Sequence, residues 1–407
     1  MNTKIYRPVH SVLIAFSLLL VFTGVRCQSG TSKHDLSPDQ LWSVRTANTV
    51  MIRYPEMTDM DRKFHNRRNP KWQYDIAMLA QAIDKLGTMD EKYSRYMKTY
   101  IDFFISDDGS IYNYNLCDYN LDKINPGNNL ILVYQRTGEE KYRIAIEQLV
   151  EQLAGQPHNP DGGFWHKSIY PHQMWLDGVY MSSPFMARYA QVFDQPEWYD
   201  EVVRQITLIE KHTRDPETGL LYHGYDASRG MKWSNDETGC SPHFWGRAMG
   251  WYMMAIVDAL EFFPGSHPGR EKLIDVLNRT SEALLKARDE KTGLWYQVLD
   301  RPDGEGNYLE STGTCMFVYA FAKGANKGYL PAGYLDIAEE AFESILKEFI
   351  EVEKSGMINI RNACFGAGLG GLNYRSGSYE YYISERKGMN DSKAVAPFIM
   401  LCLELNK

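Results

Sequence analysis

The 407-residue sequence lacks the residue spacings of several common kinds of site. Its six cysteines lie far apart, at no spacing typical of a zinc finger or a redox pair. We therefore expect free buried thiols, and the sequence leaves open whether one disulfide forms. There is no HExxH motif, no Walker loop and no nucleophile-elbow serine. The run GAGLGG at 366–371 satisfies GxGxxG, but LNYRSG follows it instead of a helix, which predicts a flexible loop. We therefore expect neither a metal nor a cofactor.

Acidic residues outnumber basic ones, with 52 Asp and Glu against 44 Lys and Arg. The formal net charge is −8, which argues against nucleic acid and against an anionic membrane surface as partners. An acidic substrate remains open, because one local arginine can outweigh the charge of the whole molecule.

Long apolar runs are absent except near the N-terminus, where the layout is typical of a secretory signal. Lys4 and Arg7 precede the apolar run Val12–Thr23, which is too short to cross a bilayer. Cys27 follows where a bacterial lipoprotein carries its lipid, but Arg26 stands where a small residue is needed, so a lipid anchor at Cys27 stays open. We expect residues 1–27 to be a signal peptide, with the protein exported to the periplasm or outer membrane of a bacterium.

After a polar linker at 28–36, the chain alternates apolar helices with more amphipathic ones, and Ser37-Pro-Asp-Gln indicates the first helix start. Equivalent points recur at roughly 50 to 75 residues, which indicates helix-pair repeats. The apolar, inner helices are predicted at Tyr74–Leu86, Gly127–Arg136, Ser183–Phe193, Arg247–Phe262, Gly313–Lys323 and Lys393–Leu405.

Buried apolar helices that alternate with amphipathic ones predict two concentric layers. The expected fold is all-α: an (α/α)6 barrel of six inner and six outer helices in a single domain, residues 37–407. An open helical solenoid is the structural alternative. A short loop of glycine and aromatic residues leads from each outer helix to the next inner one, so these loops should gather at one end of the barrel and line a cavity.

Asp177 is the most informative single residue, because it lies among aromatic side chains that include Trp175 and Tyr180. Poor solvation there should raise its pKa and let it hold a proton near neutral pH. Aromatic rings are also what proteins stack against sugars. The plainer interpretation is a buried Asp that caps a helix beginning near Ser182.

Asp122 occupies the equivalent place one repeat earlier, so the two acids should be neighbours on the rim. Two adjacent carboxylates with different pKa values are suited to general acid/base catalysis. The alternative is that Asp122 is a turn residue before Pro126-Gly127.

Two histidines and one arginine are further candidates. His166 and His223 each end an aromatic loop, in matching places. Arg247 lies four residues before Trp251, on the same helix face, and its guanidinium could bind a substrate carboxylate in two-pronged fashion. The alternative is an arginine buried against an aspartate.

Five ordered motifs resemble glycoside hydrolase family 105, the unsaturated rhamnogalacturonyl hydrolases, from about Trp42 onward. They are LDKINPG (121–127), TGEEKY (137–142), QMWLDGVYM (173–181), FWGRAMGW (244–251) and YEYYISE (379–385). Glu385-Arg386 and Lys393-Ala394 depart from the family pattern, which should alter only the local loop. By the family pattern Asp177 is the acid/base and Asp122 its helper. Our candidate substrate-binding residues are Tyr74, His166, Trp175, His223, Trp245, Arg247 and Trp251.

The resemblance implies an (α/α)6 enzyme that removes a 4,5-unsaturated galacturonyl residue from the non-reducing end of an acidic pectin oligosaccharide. The implied chemistry is hydration of the enol-ether double bond, which needs no metal. Three alternatives remain: an unsaturated glucuronyl hydrolase similar to family 88, a non-catalytic glycan-binding barrel, and a polysaccharide lyase.

Overall fold

Helices dominate the part of the chain that the computed structural model describes, which is Met1 and residues 34–407. Residues His34–Lys407 form one unit. The predicted signal peptide and Cys27 lie outside the described residues. In the region from residue 34 onward, we find no helix that is both long and apolar enough to span a bilayer.

The α-helices within residues 34–407 are α1 Trp42–Arg53, α2 Thr58–Lys63, α3 Tyr74–Asp84, α4 Glu91–Phe104, α5 Gly127–Thr137, α6 Glu140–Ala154, α7 Leu176–Phe193, α8 Glu197–Thr213, α9 Gly246–Leu260, α10 Pro268–Lys286, α11 Ser311–Asn326, α12 Gly333–Phe349, α13 Tyr379–Ser384 and α14 Ser392–Glu404. Short 3-10 turns lie at Lys85–Thr88, Leu116–Asp118 and Leu121–Lys123. The strands are β1 Gln173–Trp175, β2 Gly224–Asp226, β3 Ile350–Val352, β4 Ile358–Ile360, β5 Ala363–Cys364 and β6 Lys387–Gly388, paired antiparallel as β1–β2, β3–β4 and β5–β6.

Six helices form a closed inner ring. In the order α3, α5, α7, α9, α11 and α14 each contacts the next, and α14 returns to contact α3. The helices α4, α6, α8, α10, α12 and α1 each pack against the outside of one inner helix. Thus α1, first in the chain, pairs with α14, and the Ser43 amide donates to the Lys407 carbonyl at 3.3 Å. The predicted (α/α)6 barrel is confirmed, and the solenoid alternative is wrong.

The hydrophobic pattern explains which helices are inner. In α9 every residue except Asp258 is buried, so this helix is covered on all sides. The outer helix α8 buries a stripe that includes Tyr199, Val202, Ile206 and Ile209, at the spacing of one helix face. The sequences of the inner helices are therefore apolar on every face, whereas those of the outer helices are amphipathic.

Two predicted helix starts are wrong. The inner helix predicted from Ser183 begins at Leu176, because Pro184 lies inside α7 instead of in its first turn. Ser37 begins a turn, in which the Gln40 amide donates to the Ser37 carbonyl at 3.0 Å, and α1 begins only at Trp42. The other predicted inner helices begin within two residues of the observed ones.

The glycine-aromatic loops lie at one end of the barrel, as predicted. Backbone hydrogen bonds join neighbouring loops: Leu121 to His166 at 3.2 Å, Leu176 to His223 at 3.0 Å, and Gly246 to Gln297 at 2.9 Å. One glycine in each loop has a left-handed backbone, with φ from 70° to 95°, which other residues adopt at a cost: Gly109, Gly162, Gly219, Gly293 and Gly356. This shared turn explains why glycine recurs in these five loops.

Candidate active site

Asp177 and His223 form a close pair at the mouth of the barrel. Asp177 lies in the first turn of α7, directly after β1, and His223 directly precedes β2, the partner strand. The Oδ2 atom of Asp177 is 3.1 Å from Nε2 of His223, although the ring N–H is not aligned for a hydrogen bond. On its other side, Nδ1 of His223 lies 2.8 Å from the hydroxyl of Tyr382. The pair is therefore an electrostatic contact whose imidazole is held from behind.

The pKa of Asp177 is lowered, and the predicted rise is wrong for the free protein. Burial by itself raises the pKa, but the contact with the His223 imidazole, together with the positive charge of Arg247, outweighs burial. The N-terminus of α7 favours the anion as well. The sequence around Asp177 shows its aromatic neighbours and its burial but not His223 and Arg247, which come from the next repeat. Asp177 is thus a carboxylate at neutral pH.

Asp122 belongs to a second group, with His166 and Lys167. Asp122 is buried in the 3-10 turn before α5, where Lys167 Nζ donates to its Oδ2 at 2.5 Å. The Nε2 atom of His166 lies 3.5 Å from Oδ1 of the same carboxylate. Burial lowers the pKa of His166 to about 4, even though Asp122 acts in the opposite direction. His166 is therefore neutral at physiological pH, and Lys167 is the cation that pairs with Asp122.

The two groups meet through His166, which lies within electrostatic range of both Asp122 and Asp177. A close approach at Gly178 makes this arrangement possible. A Cβ atom on Gly178 would lie 2.9 Å from Nδ1 of His166 and 3.1 Å from Cδ1 of Leu121. The structure brings the two acids to the same part of the rim, in the arrangement that the repeat spacing predicts.

Arg247 supplies a positive charge on the other side of Asp177. Its Nη1 donates to the Cys364 carbonyl at 2.5 Å, and its Cζ lies 4.7 Å from the centre of the Trp245 ring. Within residues 34–407 Nη2 makes no hydrogen bond, and no carboxylate lies within 4.0 Å of the guanidinium. Burial lowers the pKa of Arg247, but nearby negative groups, including Glu310 and Asp391, raise it by more than burial lowers it. The charge is therefore permanent. The alternative of a direct Arg–Asp pair does not describe this residue.

Tyr74 completes the group of predicted site residues. It is the first residue of α3 and is partly exposed. Burial of the hydroxyl, followed by the charges of Asp122 and Asp75, raises its pKa well above the ordinary value, and Arg247 and Asp177 also act on it. Its neutral hydroxyl therefore lies among the charged groups of both acids and the arginine.

The three predicted tryptophans contact other site residues with their ring faces. Trp175 stacks on His166 at 4.7 Å and on Tyr170 at 4.9 Å. Trp245 has Arg247 over its ring and stacks on Tyr382 at 5.9 Å. Trp251 is 1% exposed and packs against Tyr180 and Tyr74. All three rings are almost fully buried, and their part in substrate binding stays a prediction.

Comparisons with known proteins show the family of this chain. The family model for Glycosyl Hydrolase Family 88 matches residues 42–407. A solved family 105 glycoside hydrolase from C. acetobutylicum is 42% identical, with a TM-score of 0.85 over 90% of this chain and 99% of its own. The chain belongs to the family 88 and 105 glycosyl hydrolases.

More distant relatives carry named activities. The unsaturated rhamnogalacturonyl hydrolase YesR of Bacillus subtilis is 27% identical over 245 residues, 59% of this chain and 66% of its own length. A solved unsaturated glucuronyl hydrolase from Bacillus sp. GL1 is 12% identical, with a TM-score of 0.59 over 83% of this chain and 86% of its own, and shows the shared fold alone.

Three side chains of this hydrolase were missed by sequence reasoning. Lys167 directly follows His166 in the sequence, but only the structure shows that it pairs with Asp122. Tyr382 lies in the YEYYISE motif, which has no role assigned from sequence, yet it contacts His223 from behind. Arg375 follows the glycine-rich loop at 366–371, which lacks a helix as predicted but packs Leu369 against Trp175 and Trp233. A search for charged residues near the mouth loops would have found Lys167 and Arg375.

Residues 34–407 contain neither a metal-ligand cluster nor a paired cysteine. In that range, no group of three or more His, Cys, Asp and Glu side chains is arranged to hold a metal ion. The cysteines there are free thiols, buried except for the exposed Cys117.

Proposed function

We propose that this hydrolase removes a 4,5-unsaturated galacturonyl residue from the non-reducing end of rhamnogalacturonan oligosaccharides by hydrating the double bond. The observation that carries the proposal is Arg247, a permanent charge without a contact ion pair among residues 34–407, within electrostatic range of Asp177. An unsaturated uronyl group has a carboxylate conjugated to its reactive double bond, so an anion site beside an acid/base matches it. The YesR relative supports the galacturonyl form of the substrate.

In the proposed reaction Arg247 holds the substrate carboxylate and aims C4 of the double bond at Asp177. Protonation of C4 places positive charge at C5 and the ring oxygen, and water adds to C5. The attacking water returns its proton to Asp177, so the acid is regenerated in each turnover. The hemiketal at C5 then opens, and the aglycone leaves from C1. The two acids do not attack C1, so their separation does not set a stereochemical outcome.

The lowered pKa of Asp177 requires that its acid form arise in the complex. In the free protein the contact with His223 and the charge of Arg247 favour the carboxylate. A bound substrate carboxylate offsets the charge of Arg247, and a bound sugar displaces water from the mouth; both changes raise the pKa of Asp177. With its pKa raised, Asp177 takes up the proton that it then delivers to C4. Substrate binding thereby prepares the acid.

Asp122 acts through its neighbours in this scheme. Lys167 balances its charge, and its Oδ1 lies 3.5 Å from Nε2 of neutral His166. This arrangement sets the orientation of the imidazole, which can then bind substrate hydroxyls or the attacking water.

The substrate assignment is tested with the ultraviolet absorbance of the conjugated double bond. The protein is incubated with lyase-digested rhamnogalacturonan and, separately, with unsaturated glycosaminoglycan disaccharides. Loss of absorbance with the rhamnogalacturonan digest is the expected result. Loss only with the glycosaminoglycan disaccharides would make the protein an unsaturated glucuronyl hydrolase. A rise with intact polymer would indicate a lyase, and binding without any change a glycan-binding barrel.

A further inference from the structure

Arg375 is a cation at the mouth whose partners are all uncharged. Its Nε donates to the Gly370 carbonyl at 2.9 Å, and its Nη2 donates to the Leu369 carbonyl and to the Tyr170 hydroxyl, both at 2.9 Å. Across the described residues, no carboxylate lies within 4.0 Å of the guanidinium, and Nη1 has no hydrogen bond. The side chain is therefore held in place while its charge remains available to an anion.

The position of Arg375 is next to the proposed reaction centre but outside it. Its Cζ lies 5.8 Å from the centre of the Tyr170 ring and 5.7 Å from that of Trp175. Trp175 in turn stacks on His166. Tyr382, which contacts His223, lies within electrostatic range of both Asp177 and Arg375. Arg375 is thus close to the rings of Trp175 and Tyr382, which adjoin the proposed reaction centre.

Exposed apolar side chains occur in the loop of this arginine and next to its partner Tyr170. Ile169, next to Tyr170 in the sequence, is 72% exposed. In the loop that carries Arg375, Leu372 is fully exposed and Tyr374 is 44% exposed. A second cation, Lys232, lies 6.0 Å from the centre of the Tyr374 ring. Apolar surface combined with one fixed charge and one mobile charge is suited to a sugar chain that carries a carboxylate.

We propose that Arg375, with Ile169, Leu372 and Tyr374, forms an outer subsite that binds a second carboxylate in the departing part of an acidic oligosaccharide. This proposal rests on the proposed function, which places the first carboxylate on Arg247. A tetrasaccharide of alternating uronate and rhamnose presents such a second carboxylate, whereas the unsaturated disaccharide does not. The protein should therefore prefer the tetrasaccharide.

The test compares kcat/KM for the unsaturated disaccharide and for the unsaturated tetrasaccharide that adds galacturonate and rhamnose. Arg375→Gln should lower the tetrasaccharide-to-disaccharide ratio about tenfold, the scale of one charge-assisted hydrogen bond. Arg375→Lys should retain part of the ratio, because it keeps the charge. The matched control is Arg270→Gln. Arg270 lies in the first turn of α10, and its guanidinium is 5.4 Å from the centre of the Tyr329 ring. It makes the same change of charge and should leave both rates at wild-type values.

Salt gives an independent readout. Raising ionic strength should reduce the wild-type preference for the tetrasaccharide and leave the ratio of Arg375→Gln where it is. An equal loss on both substrates in Arg375→Gln would mean that Arg375 only supports Tyr170, and the subsite proposal would fail. A wild-type preference that ignores salt would overturn it too. If the wild type hydrolyses neither substrate, the proposed function itself is at fault.

Discussion

The chemistry of Asp177 depends on residues from other repeats. Its own motif surrounds it with aromatic rings, which by desolvation favour the protonated acid. His223 and Arg247, from the next repeat, reverse that preference and lower the pKa. Local sequence therefore identifies the residue, whereas its charge state follows from side chains that only the closed ring brings near it.

Asp177→Asn should lower turnover by about two to four orders of magnitude, the usual scale of general acid/base catalysis. Fold and melting temperature should change little, because Asn is similar in size and the contact with His223 is not an aligned hydrogen bond. Steady-state rates on the rhamnogalacturonan digest are the measurement. Asp161→Asn is the control, since Asp161 also contacts a histidine, His212, at 2.6 Å. Retention of more than a tenth of wild-type turnover by Asp177→Asn would remove Asp177 from the mechanism.

Arg247→Lys should raise KM more than tenfold, because lysine keeps the charge but loses the planar fork that binds a carboxylate. A two-pronged contact in a partly dry site is worth roughly 2 to 4 kcal/mol, more than an exposed ion pair. Arg188→Lys is the control: Arg188 lies 4.7 Å from the Phe262 ring, as Arg247 does from Trp245, but belongs to the far half of α7. An unchanged KM in a folded Arg247→Lys protein would show that Arg247 is structural.

At the scale of the element, α7 determines how the site is assembled. Because the helix starts at Leu176, Asp177 is in its first turn, where the helix N-terminus favours an anion. Pro184 interrupts the hydrogen-bond ladder in mid-helix, and tertiary packing on both sides compensates for the loss. Gly178, one residue after the acid, lets His166 approach the helix backbone.

Gly178→Ala should reduce activity even though alanine is the better helix former. Its Cβ would lie 2.9 Å from Nδ1 of His166, so the imidazole or the helix must shift. In an open helix position the same change stabilises by about 1 kcal/mol. Gly333→Ala in α12, where nothing lies within 4 Å of the new Cβ, is the matched control and should be active and at least as stable. Full activity in Gly178→Ala would show that the position of His166 is not critical.

At the scale of the whole molecule, the barrel keeps an uncharged histidine at its mouth. Burial lowers the pKa of His166 from 6.5 to about 4. Between these pH values the unfolded chain binds a proton that the folded protein does not, so stability from this group is complete above pH 6.5 and falls as the pH decreases toward 4.

His166→Gln should therefore flatten the pH dependence of stability. Over that interval the wild type should lose on the order of 3 kcal/mol through this one group, and the variant should lack that loss. Denaturant unfolding at several pH values between 7 and 4 is the measurement. His158→Gln, at an exposed position that pairs with Phe164, is the control and should keep the wild-type slope. Parallel slopes for His166→Gln and the wild type would contradict the burial argument.

The sequence by itself determined the architecture and the places of the candidate residues. Six apolar helices can be covered on all sides only by an outer layer, and a glycine with positive φ recurs in each mouth loop, so the barrel and its functional end follow from local pattern. The tertiary structure decided the charges and the ring faces. Arg247 donates to the carbonyl of Cys364, and Arg375 donates to the hydroxyl of Tyr170. In each pair the two residues are more than one hundred positions apart in the sequence. Such contacts exist only once the ring closes, and Coulomb energies depend on those distances and on burial, which no local spacing encodes.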